Sequence, residues 1–181
     1  AVRQIGTDPA IAYVSDVSGG LPLSIADEDR KYVYGLGLAY AVAGSSIEVY
    51  HADHLGSVRT LTNGSGSVVA TYGTDAWGVP IGSTGSSTQP FGFTGEPRDG
   101  SGLTYLRSRY YDPELGRFLS RDTFVGATSA PQSLNRYSYV TNSPVRYADP
   151  SGRCGIDVVA DVVFSFFSLG QVIFGPEKQR A

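Results

Sequence analysis

Tyr50-His51-Ala52-Asp53-His54-Leu55-Gly56-Ser57-Val58-Arg59-Thr60-Leu61-Thr62-Asn63-Gly64-Ser65-Gly66-Ser67-Val68-Val69-Ala70-Thr71-Tyr72-Gly73-Thr74-Asp75-Ala76-Trp77-Gly78 is the stretch that decides the fold. Tyr50-x-x-Asp53-x-x-Gly56 returns as Tyr72-x-x-Asp75-x-x-Gly78, 22 residues later. Tyr13-x-x-Asp16-x-x-Gly19 is an earlier copy, and Tyr111-Asp112 with Gly116-Arg117 and Tyr147-x-Asp149 with Gly152-Arg153 are looser ones. The unit reads as a β-hairpin. Tyr packs on a pleated face, Asp accepts backbone N–H bonds in the turn, and Gly takes the positive-φ position. Asn63-Gly64-Ser65-Gly66 is a hairpin turn between two β-branched runs. A single hairpin cannot bury its face, so such units must stack on neighbours.

Working outward, strand patterns cover 32–34, 47–50, 57–61, 67–72, 91–94 and 103–105. The four repeat tyrosines Tyr13, Tyr50, Tyr72 and Tyr111 are expected in strands, with a helical turn near 131–139. The 181 residues hold 23 Gly, 10 Pro, 12 Tyr and 8 Phe, with 17% charged residues against the ~25% of ordinary domains. That composition suits a mainly β, antiparallel fold and excludes a helical bundle. The formal charge of −3 leaves no basic footprint for nucleic acid or an anionic membrane. One Cys, Cys154, excludes an internal disulfide framework, and two histidines, His51 and His54 around Asp53, read as turn residues. Nothing calls for a cofactor or a metal.

The ends differ from the middle. No charged segment followed by an apolar one opens the chain, which reads as mid-chain sequence of a longer protein. Residues 156–173 are apolar except for a narrow Asp157/Asp161/Ser165/Ser168 stripe, ended by Gly175-Pro176. This predicts an amphipathic C-terminal helix. The apolar run is short of the ~20 residues of a membrane span, so a covering protein surface is the expected partner rather than a membrane.

The repeats at 50–59 resemble the tyrosine–aspartate (YD) repeats of Rhs proteins. Phe93-Thr94-Gly95-Glu96, Gly102-Leu103-Thr104-Tyr105-Leu106-Arg107-Ser108-Arg109-Tyr110-Tyr111-Asp112-Pro113, Gly116-Arg117-Phe118-Leu119-Ser120-Arg121-Asp122, Asn135-Arg136-Tyr137-Ser138-Tyr139 and Pro144 to Gly152 then follow in order. Together they resemble the Rhs repeat-associated core domain. The resemblance implies YD-repeat strands over 1–49, a core domain over 50–153, and the start of a variable, toxin-side region over 154–181. It implies the end of a β-shell that encloses a C-terminal effector, secreted or at the cell surface. The partners would be the chain's own C-terminal region, the upstream repeats, and a secretion-system or cell-surface component.

It further implies a single-turnover self-protease of aspartic type. The terminal pattern Pro-x-x-x-x-Asp-Pro-x-Gly-Leu falls on Pro144, Asp149, Pro150 and Gly152, with Arg153 in place of Leu. The cleavage region is thus Gly152, Arg153 and Cys154. The catalytic set carried over is Asp122, Asp149 and Arg109. Two close carboxylates can share a proton, one serving as base while the other serves as acid, and an arginine can steady one of them or polarise the carbonyl. Arg107, Arg117 and Arg121 compete with Arg109 for that role. Asp before Pro is also a common turn opening, so the rival reading is a non-catalytic structural, carbohydrate-binding or partner-binding YD-repeat module. Cys154 has no base near it in sequence and reads as incidental.

Overall fold

The computed structural model describes residues 2–3, 11–18 and 21–153. The expected helix over 156–173, and Cys154, lie outside these residues. The described chain is mainly antiparallel β. β1 (Val2–Arg3) and β2 (Ile11–Ala12) form a two-stranded ribbon. β3 (Val14–Asp16), β4 (Leu23–Ala26), β5 (Lys31–Tyr34), β6 (Leu38–Ala43), β7 (Ser46–Ala52), β8 (Val58–Asn63), β9 (Val68–Thr74) and β10 (Pro80–Gly85) make one eight-stranded meander, each pairing with its sequence neighbour. β11 (Thr104–Leu106), β12 (Arg109–Asp112) and β13 (Arg117–Phe118) form a separate three-stranded sheet. The meander runs through residues 49 and 50 without a break, since β7 spans both.

The same turn chemistry closes hairpin after hairpin. Asp53 Oδ1 accepts from the N–H groups of Leu55 and Ser57 at 3.0 and 2.9 Å. Asn63 does so from Ser65 and Ser67 at 3.1 and 2.9 Å, and Asp75 from Trp77 and Val79, both at 2.9 Å. Asp99 repeats it with Ser101 and Leu103. One side-chain oxygen thus satisfies two turn donors that the ladder cannot reach. The Gly three residues on is required at Gly78: φ is +93°, and a Cβ there would lie 2.6 Å from Phe93 Cγ.

Two cores result. One covers a face of the meander with Tyr32, Ala41, Tyr50, Leu61, Ala70 and Phe91. In the register, Ala41, Tyr50, Leu61 and Ala70 follow period-2 alternation, so one face carries the burial. The other gathers Phe93, Leu106, Tyr111, Phe118, Tyr139 and Val140, with Trp77 packed against it.

Three local expectations change. Tyr50, Tyr72 and Tyr111 are in strands, but Tyr13 sits in the break between β2 and β3. Residues 91–94, read as a strand, form a turn segment with a single bridge from Phe91 to Pro97. The Gln89 side chain takes both backbone groups of Phe91, donating to its carbonyl at 2.6 Å and accepting its N–H at 2.7 Å. The chain then turns through Gly92, so Phe91 enters one core and Phe93 the other. The helical turn expected near 131–139 is a short 3₁₀ turn at Pro131–Leu134, and a second turn at Val140–Asn142 lies beyond that range.

Candidate functional site

Arg109 is set by the hairpin of β11 and β12. Leu106 pairs with Arg109 across a two-residue loop, Arg107-Ser108. Along β12 the side chains of Arg109 and Tyr111 are buried and Tyr110 and Asp112 are half-exposed, so strand alternation turns the guanidinium inward. It lies on the Phe118 ring, 3.5 Å from the centroid, where a cation gains from the ring's negative face.

Four polar groups converge on that guanidinium. Its Nη2 is 2.8 Å from Asp122 Oδ2 and 3.4 Å from Asp149 Oδ2. The two carboxylate oxygens are therefore no farther apart than the sum of those distances. Nη1 donates to the Arg136 carbonyl at 3.2 Å, and Nε donates to the Gly152 carbonyl. The side chains of Arg109, Asp122 and Asp149 are 6%, 8% and 0% exposed. Fixed in so little water, charge–charge attraction is far stronger than at a surface.

Asp122 is held on the stretch after β13. Its N–H donates to the Arg136 carbonyl at 2.8 Å, the Arg136 guanidinium donates back to the Asp122 carbonyl, and Asp122 Oδ1 accepts from Phe124 N–H at 2.9 Å. Asp149 repeats the hairpin-turn chemistry of the meander. Its Oδ1 accepts from Ser151 Oγ–H at 3.1 Å and from Arg153 N–H at 3.2 Å, and its carbonyl accepts from Gly152 N–H. Asp53 divides its oxygens the same way, with Oδ1 in the turn and Oδ2 paired to Arg59 at 2.8 Å. The turn reading and the site reading of Asp149 thus describe different oxygens of one carboxylate.

The terminal segment 149–153 lies against the β11–β12 loop. Gly152 has φ +67°, and a Cβ on it would stand 2.1 Å from the Leu106 carbonyl oxygen. Gly152→Ala is therefore expected to displace this segment from Arg109 while leaving both cores intact; proton NMR or limited proteolysis confined to the terminal segment checks it. Arg153, where the resembled pattern has Leu, is exposed, and its Nε donates to Ser108 Oγ at 2.8 Å.

A second ion pair borders the first, and sequence reasoning passed it by. Arg107 Nη1 meets Glu96 Oε1 at 2.5 Å and also donates to the Pro150 carbonyl, while its Nε donates to the Pro22 carbonyl at 3.0 Å. Burial pushes the Glu96 carboxyl above the usual carboxylate range, Arg107 pulls it back, and the charge of Asp149 pushes it up again. Glu96 is 11 residues from Arg107, with no periodic signal linking them. Of the competing arginines, Arg117 lies 5.9 Å from the Tyr137 ring centroid and Arg121 is exposed. His51 bonds Thr62 and His54 bonds the Val145 carbonyl, both exposed. Asp112 accepts the N–H groups of Glu114 and Leu115 as a turn residue. Among the described residues no group of three His, Cys, Asp or Glu side chains is arranged to hold a metal.

Known proteins share this architecture. The crystal structure of TcdB2–TccC3 without its hypervariable C-terminal region superposes with a TM-score of 0.61 at 22% identity, over 79% of this chain and 7% of that one. The tRNA3(Ser)-specific nuclease WapA of Bacillus spizizenii is 35% identical over 131 residues, 68% of this chain and 6% of that protein. The toxin protein Tse5 of Pseudomonas aeruginosa is 35% identical over 113 residues, 62% of this chain and 8% of that protein. The chain thus spans less than a tenth of the length of each. The Teneurin YD-shell family matches residues 40–145, more than half of the chain. With its Tyr-Asp turns, its meander of hairpins and this match, the chain belongs to the Rhs/YD-repeat shell family.

Proposed function

We propose that this chain is the closing end of a toxin-enclosing YD shell, and that Asp122, Asp149 and Arg109 cut its own backbone just beyond the core, in the stretch Gly152–Cys154. Residues 50–153 serve as the core domain, 1–49 as repeat strands and 154–181 as the start of the released effector. The upstream repeats complete the shell, and delivery outside the producing cell suits the toxins among its relatives.

One observation carries the catalytic reading. Among the described peptide bonds, Gly152–Arg153 is gripped at both ends by the charged cluster: its carbonyl oxygen by Arg109 Nε, its nitrogen by Asp149 Oδ1 at 3.2 Å. The chemistry follows from the placement. Arg109 stabilises the oxyanion that forms as water adds to the carbonyl carbon. Asp122 takes a proton from that water. Asp149, carrying the pair's shared proton, passes it to the departing nitrogen as the C–N bond breaks. The products are a carboxylic acid on the core and an amine on the released piece, and at neutral pH the acid's proton passes to the amine to leave a carboxylate and an ammonium group. The pair ends with one proton, as it began. An intramolecular substrate held in place needs no binding step, so a single turnover proceeds at high effective concentration.

Intact mass and N-terminal sequencing of the expressed full chain, kept at neutral pH, test this. A released piece that begins at Arg153 or Cys154 supports the reading. An uncut chain supports the binding-module rival instead. A piece that begins at Pro150 marks acid lability of the Asp149–Pro150 bond and overturns the enzymatic reading.

A further inference from the structure

We propose that Arg107, braced by Glu96, is a positioning residue that seats the terminal segment on Arg109 and so sets the rate of self-cleavage. The inference rests on the self-cleavage reading above. Arg107 and Arg109 are two residues apart on one hairpin, and they hold carbonyls two residues apart on the opposing segment, Pro150 and Gly152 respectively. The match makes a two-point clamp. Gly152 is the residue that fits between, since any Cβ at that place meets the Leu106 carbonyl. A slip of one residue in either direction brings Ser151 or Arg153 there. The seated register is therefore the sterically allowed one, and the clamp governs how fully it is populated.

The backbone points the same way. Arg107 has φ +57°, in the left-handed region. A side chain is strained there relative to the ordinary helical region, a strain that Gly avoids. The arginine in the first position of this two-residue hairpin loop sits in a conformation that favours Gly, and its side chain supplies contacts Gly lacks. It bridges Glu96, Pro150 and Pro22. Glu96 is itself fixed by the turn at Phe93–Gly95, where its N–H donates to the Phe93 carbonyl and its carbonyl accepts from Gly92 N–H. Its side chain is 9% exposed, so the carboxyl is held in a fixed place behind Arg107. Arg107 reaches the Pro150 carbonyl and Glu96 reaches Arg107, so the pair acts through the seating of the chain.

Cell-free synthesis of the full chain, followed on denaturing gels at neutral pH, reads the rate. Arg107→Gly alone would relieve the backbone but leave Glu96 buried and unpaired, so the informative variant is Arg107→Gly with Glu96→Gln. It should fold, cut at the wild-type bond, and cut at least ~10-fold more slowly, within the range that a small misplacement costs. Arg107→Lys keeps the charge beside Glu96 but loses the fork, and should fall between the two. A structural role alone would move thermal stability and leave the rate of the folded protein unchanged. Wild-type rates in the folded double variant, or in Arg107→Lys should the double variant not fold, overturn this inference. An uncut wild type, or an Asp122→Asn variant that cuts normally, overturns the self-cleavage reading instead.

Discussion

Asp122→Asn and Asp149→Asn should each slow release of the C-terminal piece by at least ~10²-fold, the usual contribution of a positioned general acid or base. Asn keeps the size but neither ionises nor cycles a proton. The geometry also predicts how each variant sits. Oδ1 of both residues accepts backbone N–H bonds, from Phe124 at Asp122 and from Arg153 at Asp149. An Asn that keeps those bonds turns its NH₂ group toward Arg109 Nη2, donor against donor. One that flips keeps Arg109 and loses the turn. Asp149→Asn therefore costs more stability than Asp122→Asn, because its turn oxygen also accepts from Ser151. Neither variant strands a buried charge, since Arg109 retains the other carboxylate. Denaturing gels of both variants at neutral pH, beside thermal unfolding, decide it. Release from both at the wild-type rate rules out the aspartic mechanism.

Arg109→Met should have the largest effect on the fold itself. Methionine fills much of the same volume over Phe118, so the packing loss is modest. The electrostatic loss is not. Two carboxylates, with 8% and 0% of their side chains exposed, would face one another without the cation between them, and the carbonyls of Arg136 and Gly152 would lose their donor. Breaking a buried ion pair from one side costs about 3–5 kcal/mol. Self-cleavage should be lost as well. Chemical denaturation of Arg109→Met beside Arg109→Met/Asp122→Asn separates charge from packing. If stranded charge is the cause, the double variant loses less than the two single variants together. Strict additivity would show that Arg109 matters here only for its volume.

The two effects differ in kind because the site is assembled from pieces that fold for other reasons. Asp149 is at once a repeat-turn aspartate and a member of the charged cluster. Its Oδ1 closes a turn as Asp53 and Asp75 do, and its Oδ2 faces Arg109. That double use explains why a turn signature in the chain and a site signature fall on the same residue.

Much of this was legible in the chain before any coordinates. The Tyr-x-x-Asp-x-x-Gly spacing, the Asn63-Gly64-Ser65-Gly66 turn and the alternation in β7 to β9 determine hairpins, because a turn aspartate satisfies donors two to four residues away and a pleat repeats every two residues. Hairpins joined in sequence order then make a meander. What only the tertiary structure decided is non-local. It placed Arg109, rather than Arg107, Arg117 or Arg121, between Asp122 and Asp149. It made residues 91–94 a turn through the Gln89 side chain, and it put Glu96 behind Arg107. Those contacts join residues with no common period, and they rest on where Phe93, Tyr111 and Phe118 pack. A buried charge finds its partner by the shape of the core around it, and no spacing along the chain records that shape.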